Sequence, residues 1–109
     1  MPYEFKVHPK ADREFDQFLH MDRSTAFDVG NRFRILEEIV NSGLAAGLTP
    51  VHTENGCEVY VFFGDRIQMF LAAHAGTLLL THISVLGNTS WQEKALRQAV
   101  DRSREHFGL

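Results

Sequence analysis

The sequence predicts a single α+β domain with its elements in the order β-α-α-β-β-β-α. Three observations predict it. The chain has 109 residues, one domain's worth. Its apolar residues switch between a two-residue period and a helical one as the chain is followed. Across residues 58–86 only Glu58, Asp65 and Arg66 carry formal charge, and glycine turns cut that stretch into strand-length pieces.

Each element has its own signal. Tyr3, Phe5 and Val7 alternate with Glu4, Lys6 and His8, as in a half-buried strand. Pro9 ends that strand and suits the first turn of a helix. Ala11, Phe15, Phe18 and Leu19 then form one apolar stripe, with Asp12, Glu14 and Asp16 near the positive helix end. Asp22 or Ser24 can cap a second helix whose stripe is Val29, Phe33, Leu36 and Val40, widened by Ile39. Gly43 is a natural stop, and residues 44–50 read as a loop. A meander of three strands follows: Glu58 to Phe63, Arg66 to His74, and Thr77 to Leu86. Gly64-Asp65 reads as a primed two-residue turn, and Ala75-Gly76 ends the second strand. Ser90-Trp91-Gln92-Glu93 is a capping box for a last helix, whose inner stripe is Leu96, Ala99, Val100, Ser103 and Phe107. Glu93–Arg97 and Arg97–Asp101 stand at i, i+4 on its outer side. The helical hairpin and the last helix should cover a small, mainly antiparallel sheet, with the first strand at one edge.

Composition narrows the function. Hydrophobic residues make up 44% and charged residues 23%, and nine Phe, two Tyr and one Trp argue for a packed core. One cysteine, Cys57, excludes an internal disulfide and a multi-cysteine zinc site, and it reads as a buried, inert thiol. No apolar run is long enough to span a membrane, and the N-terminus does not read as a signal peptide, so a cytoplasmic protein is expected. The net charge of −3, with a deficit confined to residues 1–55, gives little general attraction for nucleic acid. RNA binding would need a local basic patch.

This order resembles the RelE/ParE toxin superfamily, particularly its HigB-like branch. The resemblance covers nearly the whole chain. It rests on Val51-His52-Thr53 before Glu58-Val59-Tyr60, on the glycine turn Phe63-Gly64-Asp65-Arg66-Ile67-Gln68-Met69, and on the apolar strand Leu78-Leu79-Leu80-Thr81-His82. A helix like Trp91 to Phe107 completes it. Leu86-Gly87 stands where the family often has paired lysines, and the strand arginines correspond most nearly to Tyr60 and to Gln68 or Met69. The resemblance implies the toxin component of a type II toxin–antitoxin system. Such a toxin is a messenger RNA endoribonuclease, on the ribosome or off it, held in check by a cognate antitoxin. It also implies chemistry without a metal or other cofactor, because the attacking group is the RNA's own 2′-hydroxyl.

That chemistry needs a base, an acid and cations for the phosphorane. His52 matches the family position before the second strand and could move a proton; it could equally be a solvated loop histidine. Arg66, after the turn, could hold a phosphate or simply charge a strand end. His82, in a row with Leu78, Leu80 and Leu86, is either a hydrogen-bonded core residue or a third catalytic candidate. His74 and His82 could share a metal, but no third ligand follows at metal spacing. Arg97, Arg102 and Arg104 make either a salt-bridged helix surface or an RNA-contacting edge, and Trp91 could stack on a base or pack on the sheet. Two other readings are an inactive RelE-like binding module, and a dimeric sheet with an apolar site near Val59, Phe62, Phe70 and Leu79. A homodimer is open to either kind of protein.

Overall fold

Among the described residues eight elements follow one another: β1 (Glu4–Val7), α1 (Pro9–Leu19), α2 (Arg23–Ser42), β2 (His52–Glu54), β3 (Cys57–Phe63), β4 (Ile67–His74), β5 (Thr77–Val85) and α3 (Thr89–Phe107). The computed structural model describes residues 3–42, 50–87 and 89–109, with the side chains of residues 42 and 89–91 also outside the description. The expected stop at Gly43, most of the loop after it, and the side chains of Ser90 and Trp91 therefore lie outside the described residues. The strands form one sheet in the order β1-β5-β4-β3-β2. β1 joins β5 in parallel and every other pairing is antiparallel. The meander and the edge position of the first strand are as expected.

Local chemistry fixes the ends. His8 caps α1 by accepting the Lys10 amide on Nδ1 at 3.1 Å, while Pro9 occupies the first helical position. Asp22 is the cap of α2: its carboxylate takes the Thr25 amide at 2.8 Å and the Thr25 hydroxyl at 3.0 Å. α1 and α2 cover one face of the sheet, burying Ala11, Phe18, Val29, Leu36 and Ile39 against Ile67, Met69, Leu71, Leu78 and Leu80. Leu19, expected in that stripe, is exposed, because α1 ends there and the chain turns away. α3 covers the other face through Ala95, Ala99 and Val100, over Cys57, Val59, Phe70, Ala72 and Leu79. Phe62 belongs to the first core and Val59, Phe70 and Leu79 to the second, so they line no common apolar site.

Two turns differ from expectation. β2 is an additional strand, joined to β3 through Asn55 and Gly56 at φ +48° and +79°. It was hidden because three residues are too few to display a period. The primed geometry recurs at Ala75-Gly76, with φ +49° and +81°, and is absent from Gly64-Asp65. There the buried carboxylate of Asp28, on α2, shapes the turn by accepting the amides of Asp65, Arg66 and Ile67 at 3.1, 2.8 and 3.2 Å. A Cβ at Gly64 would collide with both Asp28 oxygens, so glycine is required for that approach. Ala75 holds a left-handed conformation that costs a Cβ-bearing residue about 1 kcal/mol. Ala75→Asn should therefore stabilise the domain by about 0.5 kcal/mol, seen as a raised urea midpoint.

Candidate active site

A change of register in β5 creates the principal site. Phe70 pairs with His82 but Leu71 pairs with Leu80, so Thr81 is an extra, bulged residue. Its hydroxyl donates to the Phe70 carbonyl at 3.0 Å. The bulge exchanges the faces beyond it. Leu78 and Leu80 point to the helical hairpin, whereas His82 comes to lie beside Phe70, on the α3 side, with ring centroids 6.0 Å apart. Sequence parity put His82 in the row of Leu78 and Leu80; the bulge takes it out of that row.

Three elements then converge on one carboxylate. Glu14, on α1, lies 3.0 Å from His82 Nδ1 through each of its oxygens and accepts the Ile83 amide at 3.0 Å. Arg102, on α3, grips it with Nη1 at 2.8 Å and Nη2 at 3.0 Å. Arg102 Nη1 also donates to the Thr81 carbonyl at 2.9 Å, which uses both its protons. Nη1 also stands 3.1 Å from His82 Nδ1, so with both Nη1 protons used Nδ1 is the donor to Glu14, and Nε2 is the ring nitrogen left for the cleft. Nε2 has no partner among the described residues. Burial pushes the Glu14 carboxyl up, but the hydrogen bonds from His82, Arg102 and Ile83 together hold it below the usual range. A cleft of about 340 Å³ opens beyond the ring, lined by His82, Ser84, Val85, Lys94, Ala95 and Gln98. The arrangement is an imidazole oriented by a carboxylate, facing a cleft that also has an ammonium group.

The other expected residues are placed elsewhere. His52 lies on β2, half-buried, with Nε2 3.4 Å from Glu54. Arg104 binds the same Glu54 carboxylate through Nε and Nη2, both at 2.6 Å, and holds it down at about 2. His52, Arg97 and Arg104 thus share a second, shallower cleft, on another side of α3 from His82. Arg97 makes no ion pair there among the described residues, contrary to the expected pairs with Glu93 and Asp101. Arg66 is in a third place, exposed beside Arg23, Ser24 and Phe27 at the start of α2. Arg102, an RNA-contact candidate by sequence, spends its donors inside the protein. Cys57 is buried, and burial raises its thiol above the ordinary value. Among the described residues, no three His, Cys, Asp or Glu are gathered to hold a metal ion, and no helix is long and apolar enough to cross a membrane.

Sequence reading missed Glu14, which it treated as a helix-end charge. The available signal was its spacing: Glu14 is three residues from Ala11 and four from Phe18, on the inner stripe itself. A carboxylate there has to meet a cation or donors.

These contacts predict a particular acid response. Burial lowers the His8 imidazole against the opposing pull of Glu105, and the hydrogen bonds around Glu14 and Asp28 lower both carboxyls despite burial. All three bind fewer protons folded than unfolded, so stability falls with falling pH. The His8 leg begins as pH drops through about 6.5 and the steeper carboxylate leg below about 4. Urea midpoints from pH 8 to 3 should show both. His8→Asn, which keeps an acceptor for the cap, should remove only the upper leg; an unchanged upper leg would assign it to another group.

No protein-family model and no curated protein matches the sequence. Among solved structures, E. coli toxin RelE, in its free state and with two arginines replaced by alanine, aligns with 90% of this chain and 98% of its own. The TM-score is 0.60 and the identity 9%. The fold is RelE-like. That extends the sequence resemblance to the backbone, through hairpin, sheet and last helix. With so few identities the RelE-like frame is shared, and the site has to be read from this chain's own residues.

Proposed function

We propose that this RelE-like chain is the toxin of a toxin–antitoxin pair, HigB-like in its element order, that cuts messenger RNA at the His82 cleft without a metal ion. The observation that carries the reading is the His82 imidazole, fixed through Nδ1 by Glu14 and offering Nε2 to a cleft that holds Lys94. In RNA, Nε2 takes the proton of a 2′-hydroxyl, whose oxygen then attacks the adjacent phosphorus. The bond to the 5′ oxygen breaks, leaving a 2′,3′-cyclic phosphate and a 5′-hydroxyl. Lys94 balances charge on the phosphorane and supplies a proton to the departing oxygen. Arg102 and Glu14 are positioning residues. Arg97, free of ion pairs among the described residues, anchors RNA from the neighbouring cleft, while His52 and Arg104 serve mainly to hold β2 through Glu54. The natural partner is an antitoxin that blocks this surface.

The test is incubation of purified protein with messenger RNA in EDTA, with and without ribosomes, and mapping of product ends. Cyclic phosphate ends that need His82 support the reading; intact RNA under both conditions overturns it. One observation favours the alternative of an inactive binding module, namely the net charge of −3 on a fold meant to approach a polyanion. Such a module would leave RNA whole and growth unchanged on induction.

A further inference from the structure

β1 is an outer strand, with β5 on one side and no strand among the described residues on the other. Its backbone alternates. Glu4 and His8 donate their amides to the carbonyls of Gly76 and Leu80, so the even-numbered residues bond to β5. Phe5 and Val7 therefore turn both amide and carbonyl to the open edge, where no described group takes them up. Such an edge is a template for another strand, and proteins commonly guard it with an exposed lysine. Lys6 is that lysine, but Glu4 stands on the same face, 3.6 Å from it and also exposed. The edge thus favours a strand whose charges run in the opposite order.

The segment Tyr3-Glu4-Phe5-Lys6-Val7, laid antiparallel on itself, is such a strand. With the pairing centred on Phe5, Phe5 meets its own copy, Tyr3 meets Val7, and Glu4 meets Lys6 twice. Phe5 and the Tyr3–Val7 pairs take the hydrogen-bonded positions. Glu4 and Lys6 take the closer pairs, about 4.5 Å between Cα atoms, where side chains approach most nearly. Centring on Lys6 instead would set two lysines against each other. A groove of about 270 Å³ flanks the same edge, lined by Phe5, Phe33, Leu36, Glu37, Val40 and Asn41. Phe5 stands edge-on to Phe33 there, with ring centroids 6.0 Å apart. A two-fold axis through Phe5, perpendicular to the sheet, keeps both helical hairpins on one side and turns the two grooves toward each other.

We infer that β1 pairs with β1 of a second copy of this chain, antiparallel and centred on Phe5, joining two five-stranded sheets into one. The inference stands apart from the RNA reading, because the pairing of β1 with β5 ends at Leu80, before His82. The experiment is sedimentation equilibrium of the intact protein and of charge variants on β1. Wild type should sediment at twice the mass of one chain. Glu4→Lys and Lys6→Glu should each weaken the dimer about tenfold or more, since each sets two like-charged pairs across the junction. Both positions are exposed, so the fold tolerates them. The double variant Glu4→Lys, Lys6→Glu should recover wild-type association, because it merely exchanges the charges. An equimolar mixture of the two single variants should form a mixed dimer, with two lysines on one β1 facing two glutamates on the other. A wild type monomeric up to about 100 μM overturns the inference. So does a dimer that both single variants leave intact, which would use another surface. Dimers lost in the single variants and recovered neither by exchange nor by mixing would overturn the register and with it the inference.

Discussion

Asp28→Ala should destabilise the domain by about 3–5 kcal/mol, an effect expected only where a buried charge with several donors is removed. The Asp28 side chain is 4% exposed and accepts three consecutive backbone amides of the β3–β4 turn. Alanine would leave these donors without their acceptor, and the Ile67 amide is itself buried. Water could reach Asp65 and Arg66, which are exposed, so the loss is smaller than three full desolvation costs. Asp28→Asn keeps one oxygen but turns an amino group toward donors, and should fall between wild type and alanine. Gly64→Ala should be nearly as harmful by a different route, forcing the carboxylate away from the turn. Combined, Gly64→Ala and Asp28→Ala should cost clearly less than the sum of the two, because alanine at 28 makes room for the new Cβ. Urea denaturation of the four proteins measures this directly. Simple additivity would show that the turn, not the carboxylate, supports the packing of α2.

The contrast between turn and strand shows which parts of the fold were legible in the sequence. Strand and helix order could be read because periodicity is written over many residues: Tyr3-Phe5-Val7 and Val29-Leu36-Ile39 both lie where their spacing placed them. β2 could not be read by period, although Asn55-Gly56 is the strongest of the short hairpin signals. The Gly64-Asp65 turn was misread because its geometry depends on Asp28, 37 residues earlier than its first amide contact. Side-chain parity on β5 was legible only as far as Leu80. A bulge leaves no mark in composition, so the face of His82, and with it the joining of Glu14, His82 and Arg102, is information that only tertiary structure contains. The basic residues on α3 were visible, yet not their division into a gripped Arg102, a paired Arg104 and an Arg97 with no ion pair among the described residues.

His82→Gln should lower RNA cleavage by about 10²–10⁴-fold, the usual effect of losing a general base. Glutamine keeps much of the volume beside Phe70 and can still hydrogen-bond Glu14, so the fold should survive with a midpoint near wild type. The loss should fall on turnover, because Nε2 meets the 2′-hydroxyl only as its proton leaves. Arg97→Ala should act differently, raising the RNA concentration needed for half-maximal rate, with an effect that shrinks as salt rises. Arg102→Met is the sharper companion. It removes the guanidinium that uses both Nη1 protons and fixes Nδ1 as the donor to Glu14, without touching the cleft. If Arg102 positions the imidazole, turnover should fall and the pH dependence of cleavage should change shape, since Nδ1 and Nε2 would then share the proton differently. Loss of activity with an unchanged profile would make Arg102 a brace for α3 alone. Should His82→Gln cut RNA as fast as wild type while His52→Ala does not, the chemistry belongs to the cleft of His52, Arg97 and Arg104. The carboxylate-held imidazole of β5 would then be a structural tie between the two helical layers.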